Sequence, residues 1–148
     1  MVTHDYVVDL KWTSDRKGEM SSPELDLKFD VATPPQFPKG MPGIWSPEHL
    51  LTASVVGCYM TTFLAIAENF KLEFVDFKCN SSGKLEQVEG KYMMTEITLN
   101  PELVIKNEAD REKAEKVLVK SEAACLISNS IKSKVILNAN VKFLQPAQ

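Results

Sequence analysis

The chain is poor in the residues that build most metal and disulfide sites. It has three cysteines and two histidines in 148 residues, and they do not cluster. Cys58, Cys79 and Cys125 are widely spaced with no CxxC, and His4 and His49 add no neighbouring ligand, which argues against a zinc site. No other cofactor is called for. A net charge of −3 leaves no basic footprint, so nucleic acid is not an expected partner. The start, Met1-Val2-Thr3-His4-Asp5, lacks the cationic stretch and apolar run of a secretory signal, and no segment is expected to reach membrane-span length. A cytoplasmic location is therefore expected, where an odd set of cysteines points to transient, catalytic disulfides rather than structural ones. There is no internal repeat. With 44% hydrophobic and 25% charged residues, the composition is that of one globular domain spanning residues 1–148.

Alternation predicts strands at Asp5–Thr13, with Tyr6, Val8, Leu10 and Trp12 on one face, and at Leu25, Leu27, Phe29 and Val31. Ser14 to Gly18 between them reads as a turn. Thr33 to Ser46 holds four prolines and two glycines, a stiff loop of the kind that often walls a binding site. Further extended runs follow at about Phe74 to Leu85 and Tyr92 to Leu103, and a last strand covers Val135 to Phe143. Strands, helix, strands, helix, strand is an α+β order rather than a parallel βαβ series.

Ser46, Pro47 and Glu48 open the first helix as N-cap, first position and first-turn carboxylate. Leu51, Ser54, Val55, Cys58, Thr62 and Ala65 then share a face. Gly57 within that helix suggests a close backbone approach by another element. The second helix is expected from a cap near Asn107, with Ala114, Val117, Leu118, Ser121, Ala124, Cys125 and Ser128 as its stripe. Small residues flank both cysteines, so the two helices could pack closely enough for the thiols to meet, given that a disulfide needs Cα atoms within about 7 Å. Two buried core thiols fit the same pattern. Cys79 alternates with Val75 and Phe77 and reads as a core-facing strand residue.

The segment from Ser46-Pro47-Glu48-His49-Leu50 to Gly57-Cys58 resembles the Pro-Glu-x-Leu…Cys signature of the OsmC/Ohr family (osmotically induced and organic hydroperoxide resistance proteins). Glu122-Ala123-Ala124-Cys125-Leu126-Ile127-Ser128 resembles that family's second motif, Cys-Pro-[Val/Ile]-Ser, about 67 residues later. The resemblance implies an OsmC-like α+β fold, with antiparallel sheets around two central cysteine-bearing helices, in an intertwined homodimer. It also implies a thiol peroxidase that reduces organic hydroperoxides, with Cys58 peroxidatic, Cys125 resolving, and an external dithiol as reductant. Arg16-Lys17-Gly18 resembles the Arg-x-Gly turn that carries the family's catalytic arginine, and Glu48 matches the glutamate that positions it. The chain departs from the pattern at Leu126, where proline is usual, and at His49. Where some members place an arginine before the first helix, this chain has Lys39.

An attacking thiol must be ionised near neutral pH, whereas apolar surroundings raise its pKa. Cys58 is eleven residues into its helix, beyond the reach of the N-terminal dipole, so a cation is expected to come from elsewhere, with Arg16 the candidate. Glu48 and Cys58 are about 15 Å apart along the helix axis. Arg16 and Glu48 are therefore expected to serve the cysteines of the partner subunit. Phe37, Met41, Ile44 and Trp45 are candidates to wall an apolar substrate pocket, although Trp45 could equally staple onto the helix it precedes. The alternative is a non-catalytic small-molecule or lipid-binding protein on the same fold.

Overall fold

In the computed structural model, which describes residues 2–143, the chain divides into two units, Met1–Leu50 and Leu51–Gln148. The first is a three-stranded antiparallel sheet in the order β1 (Asp9–Ser14), β2 (Lys17–Ser22), β3 (Leu25–Ala32). β1 starts at Asp9, later than the alternation predicts. The expected turn shrinks to Asp15 and Arg16, with Asp15 in the left-handed region at φ 47° and its carbonyl accepting the Trp12 indole N–H at 3.0 Å. Lys17–Ser22 has no apolar alternation, and it is a strand because both of its edges are paired, Met20 standing opposite Leu10 and Phe29. The proline-rich loop is tied to this sheet: Ala32 N–H donates to Trp45 O (2.9 Å) and Met41 N–H to Thr33 O (2.9 Å). Leu10, Trp12, Leu25 and Leu27 stay exposed, so one sheet face presents apolar side chains.

The second unit is built on a long hairpin, β4 (Phe74–Val88) and β5 (Lys91–Ile105), closed by Glu89 and Gly90 at φ 51° and 78°. Two consecutive left-handed residues are what a tight two-residue hairpin turn requires. Ile97, Leu99, Pro101, Leu103 and Ile105 are all buried, a period of two that gives β5 one core face. The final strand is split into β6 (Lys134–Leu137) and β7 (Asn140–Phe143), both parallel to β5 and in one register. The interruption falls beside Pro101, which has no N–H for a ladder; Asn138 bridges it by donating to Leu99 O and to Asn100 Oδ1, each at 2.9 Å. The sheets are thus antiparallel apart from these two pairings, which the α2 crossover makes possible.

Helix α1 (Pro47–Asn69) is capped as its sequence predicts: Ser46 Oγ accepts the His49 N–H at 3.1 Å and hydrogen-bonds His49 Nδ1 at 2.6 Å. Its buried stripe differs from the expected one. Val55, Tyr59, Phe63 and Ala67, spaced by four, face the core, while Ser54 and Ala65 are exposed. Phe63 stacks on Phe77 with ring centroids 4.5 Å apart. Burying aromatic and aliphatic side chains of this size contributes roughly 1.5–3 kcal/mol each. Among the described residues nothing comes within 4 Å of a Cβ built at Gly57, so the expected close approach is not found there. The expectation that no segment reaches membrane-span length is also corrected. α1, at 23 residues and mean hydropathy 1.8, is long and apolar enough by length and composition.

Asn107 does not cap the second helix with its side chain. A 3-10 turn, Glu108–Asp110, intervenes, and α2 runs from Arg111 to Ala124. Arg111 Nη1 donates to Val141 O at 2.7 Å, fastening the start of α2 to β7. Ala114, Val117, Leu118 and Ser121 are its buried face.

The close approach in this unit lies at Gly83 on β4, where a Cβ would stand 2.3 Å from Thr52 Oγ1 and 2.6 Å from Met94 Cε. Gly83→Ala is therefore expected to lower stability by roughly 1–3 kcal/mol through overpacking, measured as a lower midpoint in chemical unfolding followed by circular dichroism. An unchanged midpoint would show that Thr52 and Met94 can move aside.

Candidate thiol site

Cys58 and Thr62 lie one turn apart on α1, with the sulfur and the hydroxyl oxygen 3.8 Å from each other. Tyr59 and Phe63, the next residues along, are fully buried, so Cys58 is held at the rim of the core and is half-buried. The Tyr59 hydroxyl donates to Leu118 O at 2.9 Å and ties α1 to α2. Burial pushes the Tyr59 phenol well above its ordinary pKa, so it stays a neutral donor.

Cys125 is fully buried but does not lie within α2. It caps the helix C-terminus in an extended conformation, φ −65° and ψ 114°. Its N–H returns to Glu122 O (3.2 Å), while its own carbonyl accepts the Asn129 N–H (3.1 Å) and so opens a second, separate turn. The first N–H groups of such a turn have no carbonyl of their own to bond. The N–H groups of Ile127 and Leu126 instead lower the pKa of Cys58, and that of Ser128 lowers the pKa of Cys125. The Ser128 hydroxyl also lies against the Cys125 sulfur, buried but short of full hydrogen-bond geometry.

The two thiols meet in unequal environments. At Cys58 burial pushes the pKa up. The N–H of Ile127, the Cys125 thiol, the Thr62 hydroxyl and the N–H of Leu126 pull it down and prevail, leaving it below the usual thiol value. At Cys125 burial again pushes up. Ser128 lowers the value only in part, and donation to Cys58 together with the charge there raises it further. Of the two thiols, Cys58 is therefore the one that loses its proton first as pH rises. Among the described residues, the groups that lower the Cys58 pKa are all neutral. Cys79, half-buried on β4, is raised by burial, and its thiol donates to Asn80 O at 3.6 Å.

The remaining sequence candidates lie in the first unit. Arg16 is exposed in the β1–β2 turn, with its carbonyl accepting the Thr33 N–H at 3.2 Å, and it borders a cavity of about 410 Å³ together with Trp12 and Pro47. Glu48 is half-buried in the first turn of α1, its Oε2 shielded from solvent. Phe37, Met41 and Ile44 are half-buried in the proline-rich loop, and Trp45 is 54% exposed, its ring edge-on to His49 at 6.1 Å. Sequence reasoning missed the main-chain donors of Leu126 and Ile127. Thr62 was legible from its spacing to Cys58, and Ser128 from its motif, but neither spacing nor motif discloses where a backbone N–H points.

This asymmetry predicts an order of alkylation. As pH rises, Cys58 ionises first, so iodoacetamide is expected to label it below the pH at which an ordinary thiol reacts, with Cys79 and Cys125 following at higher pH. Peptide mapping after short exposures checks this, and earlier labelling of Cys125 would reverse the assignment of charge.

Residues 40–140 match the profile of the OsmC-like protein family. Among curated proteins, the uncharacterized protein YmaD of Bacillus subtilis is 26% identical over 147 residues, 96% of this chain and 97% of its own length. An OsmC-like protein of unknown function from Vibrio cholerae has a similar structure, with a TM-score of 0.83 at 19% identity, over 93% of this chain and 99% of that one. An organic hydroperoxide resistance protein OsmC of Legionella pneumophila superposes with a TM-score of 0.76 at 22% identity, over 96% and 99%. At such identities the two structures attest the fold, and the profile match attests the lineage. The chain belongs to the OsmC-like protein family.

Proposed function

We propose that this protein is a thiol-dependent peroxidase that reduces organic hydroperoxides. The reading is carried by the uneven pair, a Cys58 whose pKa is lowered beside a Cys125 whose pKa is raised. Its membership of a family with hydroperoxide resistance proteins among its structural neighbours supports the choice of substrate. The Cys58 thiolate attacks the outer peroxide oxygen. The O–O bond breaks, the alkoxide leaves and takes up a proton to become an alcohol, and Cys58 is left as a sulfenic acid. The Cys125 thiol condenses with it, expelling water and forming a disulfide. An external dithiol then exchanges with that bond, is itself oxidised, and restores both thiols.

The working unit in this reading is a homodimer. Met60 and Leu64 on α1, and Leu10, Trp12, Leu25 and Leu27 on the first sheet, are exposed apolar side chains in the single chain. A second copy that covers them fits the implied intertwined arrangement. It also fits Arg16 and Glu48 acting on the partner's Cys58, with Phe37, Met41, Ile44 and Trp45 walling the apolar pocket. A cytoplasmic location agrees with a site that needs reduced thiols.

Cys58→Ser is expected to abolish consumption of an alkyl hydroperoxide in the presence of a dithiol. Limited peroxide should remove two free thiols per chain from the parent protein, with Cys79 spared. Unchanged peroxide consumption by the variant would sink the enzymatic reading and leave a small-molecule or lipid-binding protein. For the trans arrangement, mixed dimers of Cys58→Ser and Glu48→Ala chains are expected to recover up to about half of the parental sites. That figure follows if each site draws on both subunits, and no recovery would mean that each subunit supplies its own glutamate.

A further inference from the structure

Hydroxyls on the two helices make two kinds of bond. Ser54 Oγ donates to Leu51 O at 2.7 Å, Thr61 Oγ1 to Cys58 O at 3.1 Å and Ser121 Oγ to Val117 O at 2.7 Å, each reaching back along its helix to a main-chain carbonyl. The Thr62 hydroxyl lies instead 3.8 Å from the Cys58 sulfur, within hydrogen-bonding range for that larger atom. Its neighbours explain the difference. The carbonyl one turn behind Thr62 is that of Cys58, which the helix already commits to the Thr62 N–H. Thr61 takes the second lone pair of the same oxygen, and a carbonyl has only two. A β-branched side chain in a helix has few rotamers, so a hydroxyl turned from that carbonyl meets the side chain one turn back, which is Cys58. Thr62 and Cys58 are both half-buried, which shields the bond in part from water.

We infer that Thr62 is a further catalytic residue of the thiol site, its hydroxyl giving a hydrogen bond to the Cys58 sulfur when that sulfur is the attacking thiolate. This rests on Cys58 being the reactive thiol of the proposed peroxidase. In the thiol form either group can donate. A thiolate has no hydrogen to give, so there the hydroxyl is the donor. The bond strengthens as Cys58 ionises, because a charged acceptor holds a donor more tightly than a neutral one. The lowered pKa of Cys58, to which the Thr62 hydroxyl contributes, has the same sense. Among the described residues, the titratable group acting on Cys58 is the Cys125 thiol. Thr61, by occupying the Cys58 carbonyl, keeps the Thr62 hydroxyl available to the sulfur.

The test compares pH profiles of Cys58 alkylation by iodoacetamide, read by peptide mapping, in the parent, Thr62→Val and Thr62→Ser proteins, each first checked for an unchanged unfolding midpoint. Valine keeps the branched shape and deletes the hydroxyl, whereas serine keeps the hydroxyl. Thr62→Val is expected to shift the profile to higher pH and to slow alkylation at neutral pH by roughly three- to tenfold, the loss of one hydrogen bond to a charged acceptor. On the high-pH plateau its rate should equal or exceed the parent's, because a thiolate relieved of a donor is the more basic nucleophile. Thr62→Ser should stay close to the parent. Should Thr62→Val fail to fold, Thr62→Ala deletes the same hydroxyl. Superposition of the valine or alanine profile on the parent overturns the inference. So does a lower plateau with an unmoved profile, which would assign Thr62 to shaping access. An equal shift in Thr62→Ser also overturns it, by assigning the effect to the methyl group. Alkylation needs no peroxide, so a parent protein that fails to turn over hydroperoxide would sink the peroxidase reading while these profiles still judged the hydroxyl.

Discussion

The second unit is organised around the hydroxyl of Tyr59. A phenol buried in an aromatic and aliphatic core must find an acceptor, because leaving it unpaired costs more than the bond itself returns. Its acceptor is the carbonyl of Leu118, within α2, at 2.9 Å. That one requirement fixes where α1 lies against α2 along both axes. Cys58 immediately precedes Tyr59, and Cys125 follows Leu118 by two helical turns. Once Tyr59 is satisfied, Cys58 is carried to the end of α2, where the chain leaves the helix.

What happens at that end explains why the thiols differ. A helix that continued through Cys125 would spend the N–H groups of Leu126 and Ile127 on its own carbonyls. Instead Cys125 turns outward at ψ 114°, and a new turn starts whose first donors have no internal acceptor. The sulfur of Cys58 answers that need, and a thiolate answers it better than a thiol. The lowered pKa of Cys58 and the free donors of the turn thus share one cause. Cys125, enclosed and donating to its neighbour, is driven the other way. Two chemically identical side chains are thus pushed in opposite directions, Cys58 down and Cys125 up.

This also marks how far the sequence could be read. The capped start of α1 and the alternation of β3, β4 and β5 were legible because they depend on local chemistry and periodicity. β2 was not, since Lys17–Ser22 is a strand only by virtue of its two neighbours. Nor was the break at Asn138, whose cause, Pro101, lies on another strand. The meeting of Cys58 and Cys125 followed from the small residues around them as something allowed, and from the flanking motifs as something implied. The expected helical stripe through Cys125 and Ser128 was wrong in its last turn. An extended C-cap leaves no mark on the apolar periodicity, which continues through it. The expectation of a cation counted only the dipole of α1; the neutral groups that lower the Cys58 pKa lie partly on a distant turn that leaves no mark in the sequence.

Neutral donors alter what is left for a cation to do. A guanidinium brought beside a half-buried sulfur must itself shed water, and that desolvation offsets much of its attraction. N–H groups already fixed by the fold avoid this cost. If the turn, Thr62 and Cys125 already hold Cys58 ionised, an arginine contributed by the partner subunit need not generate the thiolate. Charge then develops elsewhere, on the oxygen that leaves as the O–O bond breaks. A cation directed there acts where its effect on the rate is greatest, because the interaction strengthens only as the transition state forms. In the proposed peroxidase, Arg16, exposed on a two-residue turn and set beside an open cavity of its own unit, is the candidate for that cation.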